Sequence, residues 1–293
     1  LPYGTQAIFY YRLTEEETQI MEKLIDSVDI DKSYIAASEY PFTVDKQDIE
    51  DLGRTPQLCK KTVRNNKHFL CFTGYRTITK KEELQKGDLT SVAASKLKSQ
   101  DRVYIQKKFY KQFFDHVVVD YSNCLLEIRI DINHSLTNSE ILNAKKILVS
   151  TVKKIYKPCQ NISFEQPVNV YQALSKIYEN DSIGRVVELH FWSEQGAAFQ
   201  NKLRNRKDKD IRKEEFQLSG QQASDIQIYK MAVEFEEKIN WENEIKYELT
   251  FNGTSQILHF HPLTLDYAII KNCPFENVFE KCSELTLSLT KND

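Results

Sequence analysis

Two basic tracts are the first candidates for chemistry in this chain. The segment Lys202-Leu-Arg-Asn-Arg-Lys-Asp-Lys-Asp-Ile-Arg-Lys213 supplies Lys202, Arg204, Arg206, Lys207, Lys209, Arg212 and Lys213 against two aspartates. Seven cations on one exposed connection would neutralise several phosphates and give salt-dependent binding. The second tract is Lys107-Lys108-Phe109-Tyr110-Lys111-Gln112-Phe113-Phe114, preceded by Lys96, Lys98 and Arg102. Its cations would position a phosphate backbone, and its aromatic faces would stack on unpaired bases. The plainer alternatives are a solvated loop for the first tract. For the second, a helix would bury Phe109 and Phe113 and leave a wet basic face.

A different chemistry is offered by His259-Phe-His261 and by Glu188 with His190. On strands, residues i and i+2 point the same way, so each pair shares a face. Adjacent strands would then gather nitrogen and oxygen ligands around zinc or a similar divalent metal. Asp120 with Glu127-Ile128-Arg129 is similar to the Asp…(Glu/Asp)-x-Lys core of restriction-type nucleases. The resemblance implies carboxylates that hold a magnesium ion. Arginine stands here where that core has lysine, and it stays protonated, so it suits phosphate charge and not proton transfer. Cross-strand Glu–Arg pairing on a solvated face accounts for the same residues. Cys59, His68 and Cys71 form a loose trio whose spacing matches no zinc module, and buried thiols are the expectation.

The absences are firmer. The chain has 8 glycines, none closer than twelve positions to another. Loops that cradle phosphate through their backbone need clustered glycines, so the Walker, dinucleotide and protein-kinase loops are missing. There is no Gly-x-Ser-x-Gly elbow and no His-Glu-x-x-His helix. The 6 cysteines show no two-residue spacing, and an intracellular compartment, cytoplasmic or nuclear, is expected. No apolar run approaches the roughly 20 residues of a membrane span, so no membrane partner is expected.

The net charge of -2 conceals sorted blocks. Residues 51–115 carry fifteen cations against six carboxylates, and residues 1–50 and 214–293 are acidic by seven and eight charges. Such sorting suits a face that meets a polyanion. It also suits charge-complementary contact with another protein subunit.

The elements that must hold these residues follow from periodicity. Residues 7–12 form a strand-like run. Thr14 with Glu17 and Thr137 with Glu140 are capping boxes that open helices. The first carries Ile20, Met21, Leu24, Ile25 and Val28; the second carries Ile141, Leu142, Leu148, Val149, Val152, Ile155 and Tyr156 and stops at Pro158. Residues 39–67 read as loop with short elements, and 68–72 as a short strand. Residues 117–119 and 125–132 read as strands around a turn, the second half-buried with Glu127, Arg129 and Asp131 facing water. After a short helix over 168–178, strands are expected at 186–192, 226–236, 244–251 and 257–261. A helix from Pro274 would feed a last strand. No internal repeat is visible.

The fold class expected is α+β. The N-terminal half, 1–160, is mixed, with a hairpin and packed helices. The C-terminal half, 161–293, is mainly antiparallel sheet, and the two form separate domains or one continuous domain. The leading functional expectation is a non-catalytic DNA- or RNA-binding protein that belongs to a larger assembly and needs no cofactor. The alternatives are a metal-dependent hydrolase or nuclease, and a protein–protein assembly subunit.

Overall fold

The first strand, β1 (Gln6–Arg12), is buried along almost its whole length, and its alternation shows why. Ala7, Phe9 and Tyr11 enter one hydrophobic core, while Ile8 and Tyr10 enter another on the opposite face. The computed structural model describes residues 4–31, 33–98, 101–132, 136–204, 209–238 and 244–290. After β1 come α1 (Glu15–Ser27), α2 (Ile35–Glu39), β2 (Gln57–Arg64), β3 (Lys67–Leu84), α3 (Ser91–Ser95), β4 (Val103–Asp120), β5 (Leu125–Asp131) and α4 (Asn138–Ile155). Then follow α5 (Tyr171–Glu179), β6 (Arg185–Ser193), β7 (Ala198–Lys202), α6 (Glu215–Ala223), β8 (Ile226–Lys238), β9 (Glu244–Asn252), β10 (Ala268–Lys271) and α7 (Glu276–Leu289).

The strands form one antiparallel sheet in the order β2-β3-β4-β5-β1-β10-β9-β8-β6-β7, with helices on both faces, an α+β fold. Pairing of Gln6–Ile8 with Ala268–Ile270 carries the sheet from strands before residue 160 to strands after it. On each side of β1 a meander of hairpin-linked strands ends in a helix. The strands β2 to β5 lead to α4; β6, β8, β9 and β10 lead to α7, with β7 interposed. Ile141, Leu148 and Val152 of α4 fill the core on one face. Val278, Phe279 and Cys282 of α7 fill the core on the other. This topological recurrence leaves no visible trace in the sequence, because the two meanders differ in strand length and in what covers them.

Local signals account for most of the elements. The Thr14 hydroxyl accepts from the Glu17 amide at 3.1 Å, and Glu17 accepts from the Thr14 amide at 2.9 Å, so both expected capping boxes are formed, with Thr137 and Glu140 making the second. Asn65 and Asn66, both with positive φ, form the two-residue turn between β2 and β3, a conformation asparagine tolerates well. In α4 the buried side is Ile141, Ala144, Leu148, Thr151 and Val152; Leu142 and Ile155 face solvent instead.

Four expectations are corrected. Residues 107–114 lie in β4 and not in a helix: their polar and aromatic doublets recur every four residues, which suits a helix, but antiparallel pairing with β3 along the whole run overrides that local pattern. Glu127, Arg129 and Asp131 are buried, not solvated: α7 meets Glu127 and Arg129 through Ser283 and Glu276, and Asp131 lies against the root of β3 and β4. Residues Ser255–His259 form a 3-10 turn and not a strand. The last strand, β10, precedes α7 instead of following it. Trp241, expected to lie in the turn between β8 and β9, falls outside the described residues.

Candidate nucleic-acid interface

The β2–β3 ladder ends at the Gln57–Thr73 pair, and the β4–β5 ladder begins at His116–Arg129. Between these limits β3 and β4 pair only with each other, from Tyr75 opposite Gln112 to Leu84 opposite Val103. Ten residues per strand at about 3.4 Å each make a two-stranded ribbon roughly 30 Å long. Its outer residues are exposed or half-exposed on both faces. Residues 76–111, the ribbon with its connecting segment, hold ten cations and four carboxylates.

Residues directly opposite each other share a face. One face therefore carries Arg76, Lys111, Ile78, Phe109, Lys80, Lys107, Glu82 and Ile105; the other carries Thr77, Tyr110, Thr79, Lys108, Lys81, Gln106, Glu83 and Tyr104. Lys80 stands opposite Lys107, and Arg76 opposite Lys111. Like charges in such positions repel. Lys107 is relieved by Glu82 at 2.5 Å, and Arg76 by the buried Asp115. Among the described residues Lys80, Lys81, Lys96, Lys98, Lys108 and Lys111 make no ion pair. Arg102 approaches Glu83 at 3.8 Å. Phe109 is 41% exposed with the Lys80 ammonium 5.9 Å from its ring centre, whereas Phe113 is buried beneath Arg76 at 3.9 Å.

The ribbon is anchored at its root. Arg76 donates to the Asp131 carbonyl at 2.7 Å and to the Asp115 carboxylate. Asp115 also accepts from the Asp131 amide at 2.9 Å, and Asp131 accepts from the Phe114 amide at 3.1 Å. Burial pushes the Asp115 carboxyl up to about 7, against the pull of Arg76.

The 202–213 segment lies at the other end of the strand order, beyond β7. Lys202 pairs with Glu188 at 2.9 Å, Lys213 with Asp181 at 3.2 Å, and Lys209 with Glu214 at 3.8 Å. Arg212 does not face solvent. Its guanidinium binds Asp210 at 2.6 Å and donates to the carbonyls of Ile177, Asn180 and Gly184 at 2.9, 2.6 and 2.6 Å. Arg204 is exposed, and Arg206 and Lys207 lie outside the described residues. The two basic tracts thus do not adjoin along the sheet.

The residues considered as metal ligands are differently employed. Glu188 and His190 share a face 3.0 Å apart, but Glu188 also accepts from Lys230 at 2.6 Å and from Lys202. Burial would raise its carboxyl, yet the two ammonium groups outweigh it and hold the carboxyl down at about 2. His259 packs edge-on against Trp192, ring centres 5.1 Å apart, and His261 lies beyond the 3-10 turn. The described residues contain no group of three or more His, Cys, Asp or Glu placed to hold a metal ion. Cys59 and Cys71 meet in a core under the 34–52 segment, while His68 packs with Tyr121 elsewhere. All six cysteines are free thiols.

Of the nuclease-like trio, Glu127 and Arg129 belong to a buried ion cluster and Asp120 does not. Arg129 binds Glu127 at 2.7 Å and Glu276 of α7 at 2.8 Å, and Ser283 donates to Glu127 at 2.7 Å. Asp120 accepts from the amide and side chain of Asn123 and closes the β4–β5 turn. Buried charges need this degree of pairing to persist.

Sequence reasoning counted Arg76, Lys80 and Lys81 within a basic block but did not single them out, because it ended β3 at residue 72. The Asn65-Asn66 turn and the alternation Thr77-Ile78-Thr79 were the available signals.

No family model and no curated protein matches the chain. Among solved structures, the di-domain ARO/CYC StfQ from the steffimycin biosynthetic pathway aligns over 98% of this chain and 96% of its own, at 11% identity and a TM-score of 0.18. A score that low carries no argument about fold or function. No helix among the described residues is long and apolar enough to cross a membrane.

Proposed function

We propose that this protein binds nucleic acid without catalysing a reaction on it, through the β3–β4 ribbon, and that duplex DNA is the form it takes. The observation that carries the reading is a ribbon that pairs with nothing else and bears Lys80, Lys81, Lys108 and Lys111, which make no ion pair among the described residues. Cations left without a carboxylate on one narrow ribbon raise the local concentration of phosphate, and a polyanion would meet them together. The major groove of B-form DNA, about 12 Å wide, admits a two-stranded ribbon. The A-form major groove is too narrow for side chains to enter, which favours DNA over double-stranded RNA. Cations on both ribbon faces would reach the phosphates that flank the groove, giving register with little sequence reading.

The 202–213 segment contributes less on this reading, since its described lysines already face carboxylates and Arg212 is buried. The test is fluorescence anisotropy of labelled duplex DNA at several salt concentrations. The triple variant Lys108→Glu/Lys111→Glu/Lys81→Glu should lose at least about a hundredfold in affinity and flatten the salt dependence by about three phosphate equivalents. Equal affinity in variant and wild type would end the proposal.

A further inference from the structure

A cleft of about 290 Å³ opens where the root of the ribbon meets α4, lined by Arg54, Arg76, Phe113, Leu136, Asn143 and Ile147, among others. We infer that this cleft seats a single unpaired nucleotide, base inward and phosphate outward; the inference deepens the nucleic-acid reading above and rests on it for the source of that nucleotide. Its volume lies at the small end of the range for ligand pockets, about 300–1,000 Å³, which suits one nucleotide unit and excludes a polymer.

The lining divides by chemistry. On one side are the half-buried Leu136 and the 39% exposed Ile147, an apolar surface left open between helix and ribbon, with Phe113 buried behind it. Arg76 stands over Phe113 and is held there by Asp115 and the Asp131 carbonyl, so its guanidinium is a fixed planar group. Bases stack on such planes as readily as on aromatic rings. At the rim Arg54 is exposed, and its one hydrogen bond among the described residues is from Nε to the Tyr75 hydroxyl, at 3.2 Å. That bond orients the side chain and leaves the two terminal nitrogens for a phosphate, which arginine grips in bidentate fashion. Asn143, exposed on α4, supplies an amide that can pair with a base edge. Extruding a base from a duplex breaks its stacking and pairing, which is least unfavourable where the base is already unpaired. A site of this kind beside a groove-binding ribbon would therefore select duplexes that carry a bulged or mismatched nucleotide.

The experiment has two arms. In the first, adenosine 5′-monophosphate is titrated into the full chain and followed by amide chemical shifts. Saturable shifts around 54, 76 and 143–147 are expected, reduced at least tenfold in affinity by Ile147→Glu and by Arg54→Ala, both exposed positions, and kept by the ribbon variant. No saturable shift in the wild type overturns the inference. In the second arm a fully paired DNA duplex is compared with the same duplex carrying one bulged nucleotide. The bulged form should bind at least tenfold more tightly, with the preference lost in Ile147→Glu. The ribbon variant should weaken both forms equally. Equal binding of the two duplexes by the wild type overturns the inference and leaves the ribbon reading intact. Unchanged binding in the ribbon variant defeats the ribbon reading, and the mononucleotide arm then judges the cleft alone.

Discussion

The ribbon of β3 and β4 and the 202–213 segment look alike as sequence and behave oppositely as structure. Both are dense in lysine and arginine. In the segment, carboxylates are interleaved with the cations in sequence, and among the described residues Lys202, Lys209, Arg212 and Lys213 each meet a carboxylate, Glu188, Glu214, Asp210 and Asp181 in turn. In the ribbon, strand pairing fixes which residues face each other, and it brings Lys80 to Lys107 and Arg76 to Lys111. A count of cations ranks the segment first. The pairing register favours the ribbon as the surface with charge left over.

The comparison is broken most forcefully at Arg212. If that residue is structural, Arg212→Ala leaves Asp210 buried without its partner and should cost about 3–5 kcal/mol in urea-induced unfolding. A loss below about 1 kcal/mol would return Arg212 to the pool of surface cations and weaken the contrast. Next in size is the ribbon variant Lys81→Glu/Lys108→Glu/Lys111→Glu, with its expected hundredfold loss of duplex affinity. Its stability should stay within about 0.5 kcal/mol of wild type, because all three lysines are exposed and make no ion pair among the described residues. A fall in stability together with affinity would mark a folding defect.

A comparable effect, spread over about three pH units, tests the root of the ribbon. The folded pKa of Asp115 lies near 7, above its ordinary value of 3.8. Between those values the folded state keeps a proton that the unfolded state has released, so stability is fully present below about pH 4 and declines as pH rises towards 7. Asp115→Asn should remove this decline, of up to about 1 kcal/mol per pH unit. His116, held down to about 3 by burial and Arg129, works in the opposite direction between pH 3 and 6.5. Taking the difference between wild type and variant at each pH cancels it. Parallel stability curves for the two proteins would contradict the burial argument for Asp115. Smallest of all, Lys209→Ala/Lys213→Ala should change duplex affinity by less than about threefold, since exposed ion pairs of this kind contribute little. A larger loss would show that the segment does contact the polyanion.

How much of this was legible follows the range of the interactions. The capping boxes at Thr14 and Thr137 and the strands β6, β8 and β9 depend on neighbours in sequence, and periodicity finds them. The burial of Glu127 and Arg129 depends on Glu276 and Ser283 of α7, some 150 residues away, and no local pattern announces it. The strand nature of 107–114 was not legible locally, because its doublets of cations and aromatics recur every four residues and place Phe109 and Phe113 at a helical spacing; it comes from pairing with β3, some thirty residues earlier. The cleft beneath the ribbon, which joins residues 54, 76, 113 and 143–147, is a product of packing alone.

The central claim is that the unpaired cations of the ribbon, and not those of the 202–213 segment, meet nucleic acid. It is tested most directly by anisotropy of one labelled DNA duplex, across a salt series, with wild type, the ribbon triple variant and Lys202→Ala/Arg204→Ala/Lys209→Ala/Lys213→Ala side by side. The account predicts a steep loss of affinity and of salt dependence in the ribbon variant and a shift of less than about threefold in the other. The reverse ranking, or binding that neither variant alters, would contradict it.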